Sequence, residues 1–330
     1  MDFIFDFLTP IGINETIFQF MCIAAILGVS IYITLYGGMF SLANAGFMAI
    51  GAYVSVILTQ QHNWGFLPAI LAGTAVAGII AIPVGLTVLR LSDIYLAIAT
   101  IGFGEVVRVM ILNTDRIYKE ITDTDLTITG GATGIKGIPV LTQTEHLLIV
   151  ILILAYFLYR VHRSRFGRAL AAIRQDEKVA ASLGIHVVYY KNLAFIFGGM
   201  IAGLGGGLSG HLNRIITPEQ YGFNRAVDIL AYAVFGGTLV LVGPIIGGMT
   251  LVWIPEALRR LDVYQFLTDL SGINFIQHEA QITGLLNGVI LLLIIIFLPG
   301  GISDPRLWRS TLTKARDFLG RYRGDDARIA

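Results

Sequence analysis

The sequence predicts an all-α polytopic membrane protein of about 8–10 transmembrane helices, some of them short or broken, with glycine-rich helix packing. Three observations carry that prediction. The 330 residues are 55% hydrophobic and 14% charged, whereas a soluble domain carries about 25% charged residues. Several apolar runs approach or exceed the ~20 residues that span a hydrocarbon core. Glycine is abundant, at 38 residues, and much of it lies inside those runs.

Taken in order, the apolar runs predict spans at 17–36, 41–59, 67–89, 93–112, 145–161, 190–211, 227–242, 245–258 and 282–298. Val242-Gly243-Pro244 is either a tight turn between two short spans or a break within one long helix. Lys and Arg accumulate in cytoplasmic loops, and their distribution orients the chain. Segment 160–178 holds Arg160, Arg163, Arg165, Arg168, Arg174 and Lys178 against Asp176 and Glu177, and the tail beyond 304 is also basic. Both are expected on the cytoplasmic side. Loop 113–145 is the more acidic and is expected outside, as is the opening stretch with Asp2, Asp6 and Glu15, which lacks the basic start of a signal peptide. Arg259 and Arg260 then fall outside, against the rule.

Within the spans, GGMIAGLGGGLSG at 198–210 sets small residues at every fourth position, among them Gly199, Gly203 and Gly207. Small residues let helices approach closely in lipid, where contact rather than hydrophobicity drives association. The run also matches G-x-G-x-x-G, but no strand precedes it and no βαβ unit surrounds it, which excludes the nucleotide reading. Gly236 and Gly237 repeat the packing device, and Pro83, Pro244 and Pro255 predict bent or broken helices. Ser41 and Asn44 open a span just after Gly37-Gly38. They serve either capping and helix contact or the solute path. Glu105 and Arg108, at i and i+3, share a helix face. They form either an ion pair near the outer end of that helix or a pore-lining pair.

Other chemistries find no support. There is no Walker A loop, so the chain has no P-loop route to ATP hydrolysis. Cys22 is the one cysteine, and the six histidines lack metal-ligand spacing. No G-x-S-x-G elbow occurs, and no span is charged densely enough for proton or sodium coupling. The chain is expected to bind no metal or cofactor itself, to have no catalytic residue and to have no nucleic-acid partner.

The most informative stretch is RVHRSRFGRALAAIRQDEKVAASLGIHVVYYK, from Arg160 to Lys191. It is too polar to lie in lipid and too apolar for a disordered linker. Phe166, Leu170, Ile173 and Ala180 fall on one helical stripe, interrupted by Glu177. A single helix over 166–184 is expected, stopped at Gly184. It either rests on anionic lipid or docks into another protein. Mixed sign and modest apolar bulk favour protein.

Four stretches resemble one known family: GGMFSLANAGFMAIGAY (37–53); LSDIYLAIATIGFGEVVRVMILN (91–113) followed by TGGATGIKGIP (129–139); FGRALAAIRQDEKVAASLGI (166–185); and AVFGGTLVLVGPIIGG (233–248) followed by Pro255-Glu256-Ala257-Leu258. They resemble the permease subunits of branched-chain amino acid ABC transporters, of the LivH/LivM type and closer to LivM. The resemblance implies a permease domain over 1–305, containing a cytoplasmic coupling segment (162–189) and an external loop (113–145), and a basic cytoplasmic tail over 306–330. It implies a bacterial-type inner membrane, and a heterodimer with a second, LivH-like permease. Two ATPase subunits would bind ATP and magnesium, and an extracytoplasmic binding protein would deliver the solute. The coupling residues it implies are Gly167, Arg168, Ala172, Arg174, Asp176, Glu177, Ala180 and Gly184. The sequence departs from the family at Ala43, at Asn224-Arg225 and Asp228, and in a longer loop 114–128. Those departures leave the solute open between branched-chain or other small amino acids and urea or short amides. A stand-alone carrier or channel is the remaining alternative.

Overall fold

A computed structural model describes residues 13–91, 93–123, 127–238 and 240–260, with 288, 289 and 292. The expected span 282–298 and the basic tail 306–330 lie outside the described residues, apart from those three positions. So do Asp2 and Asp6.

Among the described residues ten α-helices follow one another: α1 (Glu15–Tyr36), α2 (Asn44–Gln61), α3 (Phe66–Val88), α4 (Asp93–Thr122), α5 (Thr144–Arg163), α6 (Arg165–Gln175), α7 (Glu177–Ser182), α8 (Val187–Leu212), α9 (Phe223–Gly236) and α10 (Gly243–Arg260). Two-residue strands β1 (Ile135–Lys136) and β2 (Ile215–Ile216) pair antiparallel, with Ile135 opposite Ile216. Among the described residues five helices, α1, α3, α4, α5 and α8, are long and apolar enough to cross a membrane. The chain is a multi-pass membrane protein.

Helix α8 occupies the centre and lies against α1, α2 and α3, while α10 lies against α1 and α9. Its glycines explain the position. A Cβ on Gly203 would sit 2.6 Å from the Ala77 side chain of α3, and one on Gly51 of α2 would overlap the Gly203 carbonyl. Gly205 faces Leu27 of α1. Three helix backbones therefore approach α8 where any larger residue would hold them apart.

Three expectations are corrected. Helix α4 runs on to Thr122, some ten residues past the expected end of its span and into what reads as loop 113–145. Its 30 residues rise about 45 Å, beyond a core of about 30 Å. The extension has no glycine or proline, and Arg116 and Glu120 pair at i,i+4 across it. The stretch 227–242 is not one span. Helix α9 ends at Gly236, and Gly237, at φ +98, turns the chain toward α10. The 14 residues of α9 rise only about 21 Å. Lastly, 166–184 is two helices rather than one, split at Asp176.

Candidate functional site

The split segment is built from its caps. Ser164 closes α5 and opens α6, and its Oγ accepts from the Gly167 N–H at 3.1 Å. The turn is so tight that a Cβ on Gly167 would overlap the Val161 carbonyl. Helix α6 then buries Gly167, Ala169, Leu170 and Ile173. It seats on the Gly37–Gly38 turn that joins α1 to α2. A Cβ on Gly37 would lie 3.1 Å from Leu170 Cδ2, and one on Gly38 3.2 Å from Arg174 Cα. Gly38 has φ +76, which favours glycine independently of that contact.

Asp176 is extended, and its Oδ1 accepts from the Lys178 and Val179 N–H groups at 2.8 and 3.0 Å. That cap starts α7 at a new angle. Ala180 is buried, and Gly184, at φ +83, ends the helix. Glu177 pairs with Lys191 and so ties α7 to α8. The eight residues expected to couple thus fall into two groups. Gly167, Asp176, Glu177, Ala180 and Gly184 shape the segment, whereas Arg168 and Arg174 are exposed and Ala172 is half-buried beside them.

Sequence reasoning missed a second anchor. The Tyr32 hydroxyl lies 3.0 Å from His162 Nε2, and His162 Nδ1 lies 3.1 Å from the Leu158 carbonyl. Protonated on Nδ1, the ring donates to Leu158 and accepts from Tyr32. Tyr36 stands against the same ring, with centroids 4.5 Å apart. This cluster fixes the α5–α6 junction to the end of α1. Nothing in the spacing of a lone histidine signals it.

A few residues beyond Gly38, the start of α2 is wholly buried. Asn44 Nδ2 donates to Ser30 Oγ at 2.8 Å, and Ser30 donates to the Leu27 carbonyl at 2.6 Å. Ser41 Oγ accepts from the Ala43 N–H at 3.4 Å. Thr100 Oγ1 on α4 accepts from the Leu42 N–H at 2.9 Å, a partner that sequence reasoning did not identify. Asn44 therefore joins the start of α2 to α1, whereas Ser41 bonds within its own turn.

Arg108 Nε donates to Glu105 Oε2 at 2.7 Å, and both side chains are half-buried. The pair lies roughly 18 Å along α4 from Asp93, near mid-helix rather than at its outer end. Glu105 Oε1 also accepts from the Phe223 N–H at 3.2 Å. Its carboxylate thus meets the first turn of α9, where a negative charge is favoured. The structure brings Ser41 and Asn44 close to the α6 seat but places Glu105 and Arg108 apart from it.

The packing residues lie along α8 and the α9–α10 turn. Gly199 faces Ala81 and Phe47, Gly203 faces Ala77, and Gly207 faces Ser55 and Ile70. A Cβ on Gly236 would overlap the Gly243 carbonyl.

At the opposite end of the bundle, Asp115 organises the stretch before Thr129-Gly130-Gly131. Its Oδ1 accepts from the Ile128 and Thr129 N–H groups, each at 2.8 Å. Thr129 Oγ1 stands 2.9 Å from the Ile111 carbonyl and 3.2 Å from Asp115 Oδ1. Gln60 and Gln61 at the end of α2 donate to the Lys136 and Ile128 carbonyls.

Comparison with known proteins gives a consistent result. The family described as branched-chain amino acid transport system / permease component matches residues 13–297. The chain is 30% identical over 298 residues to the high-affinity branched-chain amino acid transport system permease protein LivM of Salmonella typhimurium, and 29% identical over 295 residues to that of Escherichia coli K12. Each match covers 79% of this chain and 66% of the relative, just under two thirds of its length. The permease protein LivH of Escherichia coli K12 is 37% identical over 98 residues, covering 30% of this chain and 31% of the relative. No solved structure matches the chain.

Proposed function

The chain belongs to the branched-chain amino acid transport permease family, and on that premise we infer that it is a membrane subunit of an ABC importer. It forms part of a path for branched-chain amino acids and is not itself an enzyme. Separate ATPase subunits bind ATP and magnesium and supply the energy. A second, LivH-like permease completes the path, and an extracytoplasmic binding protein delivers the solute at the end organised by Asp115. The protein lies in the inner membrane, with α6, α7 and the C-terminal tail on the cytoplasmic side. The match of each long relative to a branched-chain amino acid permease supports the solute class.

One observation supports the coupling role most directly. Helix α6 has a buried face seated on the Gly37–Gly38 turn, three residues before Ser41, and an exposed face carrying Arg168 and Arg174. A push on the exposed face reaches the start of α2 through contact alone. Glu105 and Arg108 belong to the path as a fixed pair whose carboxylate also holds α9.

The test is reconstitution with the ATPase subunits, the second permease and the binding protein, reading ATP-driven leucine uptake beside ATP hydrolysis. Arg168→Glu with Arg174→Glu, and separately Ala172→Glu, should abolish uptake while the purified chain keeps its size-exclusion profile. Undiminished coupled uptake would sink the coupling role. Leucine uptake by the purified chain alone would sink the importer reading.

A further inference from the structure

At the end of the bundle that carries α6 and α7, a cleft of about 500 Å³ opens between the end of α3 and the α6–α7 hinge. Gly38 and the buried Leu89 and Leu96 line it, with Arg90, Lys178 and the Glu177–Lys191 pair around it. The acids there are already engaged. Asp176 caps α7 through the Lys178 and Val179 N–H groups, and Glu177 holds Lys191. Arg90 and Lys178 are exposed, come from separate elements, and have no anionic partner among the described residues. Two cations that line one cavity suit a phosphate group, which accepts several hydrogen bonds at once.

The surroundings decide which phosphate. Leu91 lines the cleft and is 42% exposed. The next apolar residues on α4, Ile94 and Tyr95, are 72% and 71% exposed. Helix α4 is long and apolar enough to cross a membrane, so this apolar strip leads from the cleft along a surface suited to lipid tails. A soluble phosphate ester would use the cations and leave the strip bare, whereas a phospholipid uses both.

We propose that this cleft is a binding site for one anionic phospholipid, its phosphate held between Arg90 and Lys178 and its acyl chains laid along the start of α4. The site ties α7, and through it the α6–α7 hinge, to the bilayer. It does not depend on what the protein transports.

Native mass spectrometry of the full chain in detergent tests it, with phosphatidylglycerol, phosphatidylcholine and free inorganic phosphate as probes. The wild type should retain one phosphatidylglycerol under activation that strips phosphatidylcholine. Arg90→Gln with Lys178→Gln should retain about thirty-fold less, the equivalent of about 1 kcal/mol for each of two cations near a headgroup. Arg160→Gln with Arg165→Gln removes equal charge from the same end of the bundle and should leave retention unchanged. Three results would overturn the proposal: equal retention in the Arg90/Lys178 variant, equal loss in the Arg160/Arg165 variant, or displacement of the lipid by millimolar free phosphate. Both double variants change exposed side chains, and an unaltered size-exclusion profile confirms that each is folded.

Discussion

Helices α8 and α5 are both long and apolar enough to cross a membrane, yet 72% of the most apolar stretch of α8 is buried against 22% for α5. Helix α8 is the less apolar of the two. Hydrophobicity therefore does not decide which helix becomes the centre. Lipid tails are as apolar as a protein core, so an apolar residue gains little by turning inward. Small residues make the difference. Helix α8 carries Gly198, Gly199, Gly203, Gly205, Gly206, Gly207 and Gly210, whereas α5 has no glycine and turns Leu152, Ile153 and Tyr156 outward.

The sharpest way to break that contrast is to enlarge the centre. Gly203→Leu or Gly51→Leu should cost more than about 3 kcal/mol, because the added atoms meet backbone or a packed Cβ. The expected outcome is loss of the monodisperse peak in fluorescence-detected size-exclusion chromatography. Gly102→Leu on α4, where a Cβ has open space around it, should leave that peak unchanged.

Asp115→Ala should act on one end only. It frees the Ile128 and Thr129 N–H groups, and hydrogen exchange at those amides should quicken while the protection of α8 stays as it was. The cost is about 1 kcal/mol, in the range for a lost cap-like bond. Faster exchange across α8 as well would show that the two ends are not independent.

A smaller effect is expected from polar contacts between central helices. Asn44→Leu removes the bond to Ser30 and should cost about 0.6 kcal/mol, the average for hydrogen bonds between membrane helices. A thermal midpoint measured in detergent reads it. No change would mean that Asn44 faces a water-filled path rather than Ser30.

The smallest effect belongs to the rim. Leu152→Ala on α5 should shift stability by about 0.5 kcal/mol or less, because lipid solvates the site either way. A cost near that of a buried leucine, about 2–5 kcal/mol, would show that another protein covers this face.

Much of the fold was legible, and for identifiable reasons. Most span limits fall within a few residues of the helices, because long apolar runs have few other solutions in lipid. The α4 extension is hard to see in the sequence because Asn113–Thr122 is polar, and polarity is also the mark of a loop. Its i,i+4 pair and its lack of glycine or proline were the available signal. The break at Asp176 escaped for a related reason. Within a charged helical segment Asp176 is indistinguishable by composition from a surface charge, although aspartate is also a strong N-cap.

The candidate site was legible in place but not in division of labour. The unusual composition of 160–191 located it. Burial and caps then separated Gly167, Asp176, Glu177, Ala180 and Gly184, which shape the segment, from Arg168 and Arg174, which it displays. Tyr32, His162, Thr100 and Lys191 were invisible, since each acts through a partner distant in sequence.

By itself the sequence determined that this chain folds as apolar helices in a membrane, where most of those helices start and stop, and which stretch is too polar to lie in lipid. These are local properties, set by hydropathy and by the backbone's need to bond within each helix. Tertiary structure alone decided which helices form the centre, which charges are spent on caps and pairs, and that α6 rests on the Gly37–Gly38 turn. Those outcomes depend on how closely two backbones approach, and one helix cannot specify that without the surface of another.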